Sequence, residues 1–137
     1  MDDKLFSLLE KMPGIAYQCR FKNQRDFTFI SLKIGEICGY TREEILTDTP
    51  GLDEIIFRAD KKRVHKTLKQ AEKEGNEYEI EYRIKTAADQ IIWLRDLGQP
   101  EKITSDETTV FNGFLRDITH EKENDSPFPD MSHIPAS

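Results

Sequence analysis

Apolar residues recur in the first part of the chain with two different periods. From Ile15 to Phe21 apolar and polar positions alternate, and the alternation resumes at Phe27 and Phe29 after a polar linker, which predicts a β-hairpin. Before it, a helical spacing that ends at Pro13-Gly14 predicts a short amphipathic helix. The apolar positions of that helix are Leu5, Leu8, Leu9 and Met12.

The middle of the chain changes to helical periods with recognisable ends. Ser31 is predicted to cap a helix that stops at Gly39, and Thr41 with Glu44 forms a capping box for a second short helix. Asp60 is predicted to cap a longer helix that runs to Glu74 and ends at Gly75. Its apolar stripe consists of Val64, Leu68 and Ala71.

Three further strands are predicted in the last third. Tyr78 to Ile84 alternates cleanly with charged residues, so one face of this strand is buried and the other is exposed to solvent. The segments 91–94 and 110–115 are apolar on both faces, which favours strands that are covered on both sides. The order predicts an α+β domain with one antiparallel sheet and its helices grouped on one side. The N-terminal helix, a second subunit or both would cover the other face.

Composition restricts the classes of partner. A chain of 137 residues with 36% hydrophobic content suits one domain, and its net charge of −6 disfavours nucleic acid and anionic membranes as partners. No apolar run approaches the roughly 18 residues of a membrane span. Cys19 and Cys38 lack metal-ligand spacing, so we expect two free thiols in a reducing, cytoplasmic setting and no direct membrane contact.

The end of the last predicted strand carries the clearest functional signal. Gly113 to Thr119 is a strand-like segment that ends in Asp117 and Thr119, and a charged run follows at once. Two polar side chains at this position are predicted to fix a strand-to-helix corner through which the chain leaves the domain. Lys122 stands where a capping box would have Glu, so the exit helix should be short or frayed.

Taken together, these segments resemble the PAS domain family of bacterial and archaeal signalling proteins. The resemblance extends over about residues 5 to 122 and is carried by five segments in order: the run from Ser31 to Leu46, Arg58-Ala-Asp-Lys-Lys-Arg-Val, Glu81-Tyr-Arg-Ile-Lys, Ile92-Trp-Leu, and Gly113-x-x-x-Asp-Ile-Thr. It implies a PAS-like five-stranded antiparallel sheet with helices packed on one face, which close a small cavity, and a short N-terminal helix. The expected division is an N-terminal helix over residues 1–14, a PAS domain over 15–119, and an exit segment with a poorly ordered tail over 120–137.

The resemblance also implies a role. PAS domains of this type serve as sensory or dimerising input to a histidine kinase, a cyclic-dinucleotide enzyme or a similar effector, so a downstream effector domain is an expected partner. We expect a homodimer formed through the N-terminal helix and the sheet face. Asp117 and Thr119 would then form the signal exit.

A small molecule bound in the cavity would contact residues that face inward. The candidates are Tyr17, Cys19, Phe29, Leu68 and Tyr82, although core packing is the favoured interpretation for Cys19. The cofactor, if any, is not identified by the sequence. Cys19-Arg20-Phe21 lies in the first strand instead of on a helix after an Asn, which disfavours a flavin adduct. His65 lies at the margin of the apolar stripe, which favours an exposed histidine over a haem ligand.

Two alternative functions remain. One is a ligand-free, constitutive dimerisation scaffold, which would have large side chains at every inward position. The other is a small cone-shaped α+β enzyme, which would need a buried acid and an oxyanion donor. No inward carboxylate is evident, and the histidines at positions 65, 120 and 133 are scattered, so we predict that the domain by itself is non-catalytic and holds no metal.

Overall fold

The computed structural model describes residues 13–102 and 108–124. The first strands, β1 and β2, span Ile15–Phe21 and Arg25–Ile30. They are followed by helices α1 (Ile34–Cys38) and α2 (Arg42–Leu46), two 3₁₀ helices (Leu52–Ile55 and Arg58–Asp60), and helix α3 (Lys61–Glu74). The chain continues through β3 (Tyr78–Lys85), β4 (Ile91–Lys102), β5 (Thr109–Asp117) and α4 (Thr119–Asn124). The predicted N-terminal helix, with Leu5, Leu8, Leu9 and Met12, lies outside the described residues.

The five strands form one antiparallel sheet in the order β2-β1-β5-β4-β3. Strand β5 therefore lies at the centre, between the first strand and the fourth. The buried side chains of α1, α2 and α3 pack against one face of the sheet and form a single core with it. This architecture confirms the predicted α+β class and the placement of the helices on one face.

The helix ends are confirmed in part: the capping box and the two terminal glycines are present, but two predicted N-caps are not. Thr41 and Glu44 form the capping box, and Gly39 and Gly75 end their helices at positive φ, as expected. Ser31 does not cap α1, because its hydroxyl bonds to the main chain of β1 at Ala16. No side-chain hydrogen bond from Asp60 caps α3. In both cases a strand offers the side chain a partner that the local sequence does not reveal.

Phe29 does not share a face with Phe27, contrary to the sequence-based prediction. A bulge in the pairing of β1 with β2 places Cys19 opposite Phe27 but Gln18 opposite Phe29. Because side chains alternate across a strand, one extra residue moves those that follow to the opposite face. Phe29 therefore lies half-buried on the outer face of the sheet, away from the helices.

The outer face is partly apolar. Leu97 and Ile91 are about 39% and 41% exposed, and Phe29 and Phe114 are half-buried there. This agrees with the two-sided apolar pattern of the later strands. Within the described residues, no helix has the length and hydropathy that crossing a bilayer requires.

Two glycines make room for two tyrosines on the inner face. In the sheet register a row runs across four strands from Tyr17 through Gly113 and Gly98 to Tyr78. The two tyrosine rings lie over the two glycines, and their hydroxyls contact each other. A Cβ atom built on Gly113 would lie 2.1 Å from the ring of Tyr17, and one on Gly98 would lie 2.2 Å from the ring of Tyr78.

Replacing Gly113 with Ala should therefore destabilise the fold. The new methyl group would displace the ring of Tyr17 from a packed interior, and such overpacking costs about 1–3 kcal/mol. The free energy of unfolding from urea titrations measures the loss. Gly35→Ala is the matched control, because its Cβ would lie at an ordinary van der Waals distance of 3.6 Å from the Tyr40 carbonyl oxygen. The control should be neutral or slightly stabilising, and equal stability of the two variants would contradict the proposed steric conflict.

Candidate functional site

A buried carboxylate lies at the centre of the inner face. Asp96 on β4 stands opposite Ile80 of β3 and Leu115 of β5, and its side chain has no exposed surface. Three donors reach its oxygens. Arg25 Nη1 donates to Oδ2 at 2.6 Å, Tyr82 donates to Oδ2 at 2.7 Å, and Tyr17 donates to Oδ1 at 2.6 Å. The charge is therefore paired and hydrogen-bonded, as a buried charge requires.

The tyrosine hydroxyls form a directed chain. Because Tyr17 uses its proton to donate to Asp96, the contacting hydroxyl of Tyr78 acts as donor to Tyr17. Tyr82 in turn accepts from Arg25 Nη2 at 3.2 Å while it donates to Asp96. Each hydroxyl has a partner inside the protein.

Arg25 joins this cluster to a helical segment. Its guanidinium, which is wholly buried, binds Asp53 of the first 3₁₀ helix through Nε at 2.9 Å and Nη2 at 2.8 Å, and its main-chain N–H donates to the same carboxylate. The guanidinium also lies 5.3 Å from the ring centroid of Phe27, within cation–π range. We call the set Tyr17, Arg25, Asp53, Tyr78, Tyr82 and Asp96 the interior polar cluster.

The electrostatics of the interior polar cluster keep its protons in place. Burial, reinforced by the charge of Asp96, raises the pKa values of Tyr17, Tyr78 and Tyr82 well above the ordinary value of tyrosine. Burial disfavours the charged form of Arg25, but Asp53, Tyr82 and Asp96 outweigh it, so the pKa of Arg25 is raised. These hydroxyls stay protonated and the guanidinium stays charged at neutral pH, which favours a structural or binding role over proton transfer.

The candidate ligand residues do not all share one site. Tyr17 and Tyr82 belong to the interior polar cluster. Cys19 is buried beside it, and burial raises its thiol pKa to about 12, which leaves the thiol protonated. Leu68 of α3 is buried and also lines a surface pocket, whereas Phe29 lies on the outer face.

The three charged members of the cluster were missed by sequence reasoning. The expectation that no carboxylate faces inward is wrong, because Asp96 does so. A signal existed in the alternation of Leu94, Asp96 and Gly98, which places Asp96 on the buried face of a strand extended beyond residue 94. Arg25 likewise alternates with Phe27 at the start of β2. Asp53 carries no comparable periodic signal, since it stands in a 3₁₀ helix.

The predicted exit corner at Asp117 and Thr119 is hydrogen-bonded to both β5 and β4. The Thr119 hydroxyl donates to Asp117 Oδ1 at 2.6 Å and accepts the main-chain N–H of Trp93 at 2.9 Å. The Thr119 N–H also donates to Asp117, and Ile118 N–H donates to the Trp93 carbonyl. One hydroxyl thus joins the start of α4 to the start of β4.

Side chains of α4 attach the helix to the outer face. Lys122 Nζ lies 2.6 Å from Glu81 of β3 and 4.6 Å from the ring centroid of Trp93. Arg116 of β5 pairs with Glu121. Lys122, which does not complete a capping box, instead connects the exit helix to two strands.

A second ion pair stands next to Trp93. Arg83 binds Asp60 in a bidentate manner, with its Nη2 and Nε at 2.7 and 3.0 Å, and its guanidinium stacks between the rings of Phe57 and Trp93. The expectation that Asp60 caps α3 is wrong for this reason. His65 is exposed, as predicted, and its Nε2 contacts the Asn23 carbonyl at 2.8 Å. No group of three or more potential metal ligands occurs among the described residues.

Comparison with known families decides the membership of this chain. A family model described as the PAS fold matches residues 27–115, which is more than half of the sequence. The chain belongs to the PAS fold family. PAS domains generally act as sensory, non-catalytic modules of signalling proteins.

Solved structures agree on the fold. The N-terminal domain of a diguanylate cyclase with a PAS/PAC sensor from Marinobacter aquaeolei is 20% identical, with a TM-score of 0.67 over 80% of this chain and 98% of that one. A sensory box histidine kinase/response regulator from Burkholderia thailandensis E264 is 22% identical, with a TM-score of 0.68 over 90% of each chain. The PAS domain of a protein from Colwellia psychrerythraea is 13% identical, with a TM-score of 0.71 over 85% and 96%. Comparison with curated protein sequences gives no match.

Removing the charge of Asp96 should strongly destabilise this PAS domain. Asp96→Asn keeps the size of the side chain but leaves the buried guanidinium and the hydroxyls with too few acceptors, which costs about 3–5 kcal/mol. Urea unfolding measures the change. Asp26→Asn, an exposed substitution next to Arg25, is the control and should stay within about 0.5 kcal/mol of wild type. A cost below about 1 kcal/mol for Asp96→Asn would show that the cluster is not essential to the fold.

The Asp60–Arg83 pair should make stability depend on pH in acid. Hydrogen bonds from Arg83 hold the pKa of Asp60 below its ordinary value, so this contribution is present above pH about 4 and is lost as pH falls through the lowered pKa. Asp60→Asn should therefore be less stable than wild type at pH 7, with a gap that narrows below pH 4. Urea midpoints between pH 7 and pH 2 measure it. Asp89→Asn, in an exposed pair with Lys85, is the control and should stay within about 0.5 kcal/mol of wild type at pH 7, whereas a constant gap for Asp60→Asn would contradict the assignment.

Proposed function

We propose that this PAS domain is the sensory input module of a signalling protein and passes its state through Asp117 and Thr119 to an effector domain. The observation that carries the proposal is the Thr119 hydroxyl, which bonds to Asp117 and to the main chain of β4 at once. A shift of β4 relative to β5 would have to break or strain one of these bonds. The start of α4 would then follow the sheet.

The path from the interior to this corner is short in sequence. Strand β4 carries Trp93 at the exit and Asp96 in the interior polar cluster, separated by two residues. A small molecule that binds one arrangement of the cluster better than another shifts the population by its differential affinity. Because both sites are on one strand, a change in how Asp96 is held would alter the position of Trp93.

The effector and the assembly follow from the same proposal. The effector is of the kind found with similar domains, a histidine kinase or a diguanylate cyclase, and the module acts in the cytoplasm.

The domain pairs as a homodimer through the outer face of the sheet, where Leu97, Phe114 and Phe29 offer apolar surface. In a dimer, a change at the start of α4 in each subunit would alter how the two exit helices meet.

A ligand-free dimerisation scaffold is the second candidate. It is favoured by the interior, where Tyr17, Tyr78, Tyr82 and Arg25 occupy the space between the sheet and the helices. A scaffold would keep its effector in one state whatever small molecule is added. In the kinase chimera described below, a wild-type domain that gives the same autophosphorylation rate with and without added small molecules would therefore favour the scaffold.

Thr119→Val should loosen the corner without a large change in side-chain shape. The substitution removes the acceptor for Trp93 N–H, and a net hydrogen bond of about 1–1.5 kcal/mol corresponds to about tenfold less amide protection. Hydrogen exchange of the Trp93 amide, followed by NMR, measures this. The second measurement uses a chimera that joins residues 1–124 to the kinase half of a sensory histidine kinase. In the variant, the rate of autophosphorylation should no longer respond to a small molecule that changes this rate in the wild-type chimera.

The control for this experiment is Thr67→Val. Within the described part of the chain, the hydroxyl of Thr67 bonds along its own helix, to the Arg63 carbonyl at 3.0 Å, so its removal should leave Trp93 exchange and kinase regulation unchanged. If Thr119→Val keeps wild-type exchange at Trp93 and wild-type regulation, the corner is not the signal exit.

A further inference from the structure

A pocket lies beside the interior polar cluster, between the β1–β2 turn and the first half of α3. Its volume is about 460 Å³, within the range of small-molecule sites. Two of its lining residues contact each other, because His65 Nε2 lies 2.8 Å from the Asn23 carbonyl oxygen. The buried side chains of Ile56, Val64 and Leu68 form its apolar wall. We call it the α3 pocket.

Asp53 lines the α3 pocket and pairs with Arg25. This side chain is about 26% exposed, and it covers the guanidinium of Arg25, which has no exposed surface. Asp53 and Asp96 hold Arg25 from two sides, but they differ in accessibility. Asp96 is enclosed by the sheet and by the tyrosines, whereas Asp53 belongs to a short 3₁₀ helix that borders the pocket.

The rim of the α3 pocket is basic. Lys61, Lys62 and Lys66 of α3 line it and are exposed. The acidic residue in the lining is Asp53, whose charge is already paired with Arg25. A small anion would therefore be attracted to this pocket even though the whole chain has a net charge of −6.

We infer that the α3 pocket binds a small organic monocarboxylate, whose carboxylate replaces that of Asp53 on Arg25 while its apolar part packs on Ile56, Val64 and Leu68. The inference rests on the proposed sensory function and names the class of ligand. A planar guanidinium fork matches a carboxylate. The exchange keeps the charge around Arg25 unchanged, because one carboxylate leaves as another enters. Asp53 can turn to water, since it already borders solvent.

The displacement would also reach the sheet. The 3₁₀ helix that carries Asp53 leads directly to Ile56, which forms a β-bridge with Ile84 of edge strand β3. On its other side, Arg25 holds Asp96 of β4. Binding in the α3 pocket therefore acts on the same strands that hold the exit helix.

The test uses butyrate and benzoate as probes, with butyramide and benzamide as neutral counterparts. In ¹⁵N NMR titrations of the full chain, the two carboxylates should shift the Arg25 Nε–H resonance and the backbone N–H resonances of residues 52–56 and 61–68. Butyramide and benzamide should bind at least tenfold more weakly. Asp53→Ala removes the internal competitor, so it should bind both carboxylates at least tenfold more tightly than wild type. Asp26→Ala removes an exposed charge from the same hairpin, and among the described residues the ion-pair partners of Arg25 are Asp53 and Asp96, so this variant should bind both carboxylates as wild type does.

A second pair of variants keeps the test decisive if Asp53→Ala does not fold. The double variant Lys61→Gln and Lys62→Gln, which keeps Asp53, should bind butyrate several-fold more weakly than wild type does. Lys69→Gln with Lys73→Gln, which removes the same charge from the far part of α3, should change butyrate binding little.

Several outcomes would overturn the inference. The first is equal affinity for the carboxylates and for butyramide and benzamide, and the second is a set of NMR shifts confined to residues outside the α3 pocket. The third is a folded Asp53→Ala variant with no gain in affinity for the carboxylates. The fourth is no detectable carboxylate binding by either wild type or Asp53→Ala. Each would leave the exit-corner experiment unaffected, because that experiment measures Trp93 exchange and kinase regulation. Conversely, carboxylates could bind in the α3 pocket while Thr119→Val keeps wild-type Trp93 exchange and wild-type kinase regulation. That result would disprove the proposed signal exit and leave the inferred carboxylate site intact.

Discussion

The buried charge of Asp96 constrains the rest of the structure. A carboxylate without exposure to solvent is tolerable only when it is paired and its oxygens accept hydrogen bonds, because the desolvation cost of an isolated charge is several kcal/mol. Here Arg25, Tyr17 and Tyr82 meet that requirement, and they come from three other strands. The first two strands and the third are thereby held in one geometry around the fourth.

The requirement extends to backbone positions. Tyr17 and Tyr78 can lie across the inner face only because Gly113 and Gly98 lack a Cβ atom where the rings pass. The guanidinium of Arg25 needs a second carboxylate, and the 3₁₀ helix between α2 and α3 supplies it as Asp53. The polar interior is therefore connected to the helical side of the domain, and through β4 to the corner at Thr119.

Much of the fold was predictable from local patterns. The alternation from Tyr78 to Ile84 and the capping box at Thr41 and Glu44 depend on neighbours in sequence, and both appear in the structure as expected. The polar corner at Asp117 and Thr119 was also identified from its position after an apolar strand. Its partner Trp93 was not, because that contact joins residues 26 positions apart. The same limit explains Ser31 and Asp60, whose side chains bond to strands instead of capping the helices that follow them.

By itself, the sequence determined the class of fold, the order of its elements and the place where the chain leaves the sheet, because these follow from periodicity and from capping chemistry within a few residues. Only the tertiary structure decided which polar groups share the interior. A bulge between β1 and β2 moved Phe29 to the outer face, and the sheet register brought Asp96, Arg25 and the tyrosines together. The physical reason is that burial and pairing of charge depend on contacts between distant strands, which local residue patterns do not encode.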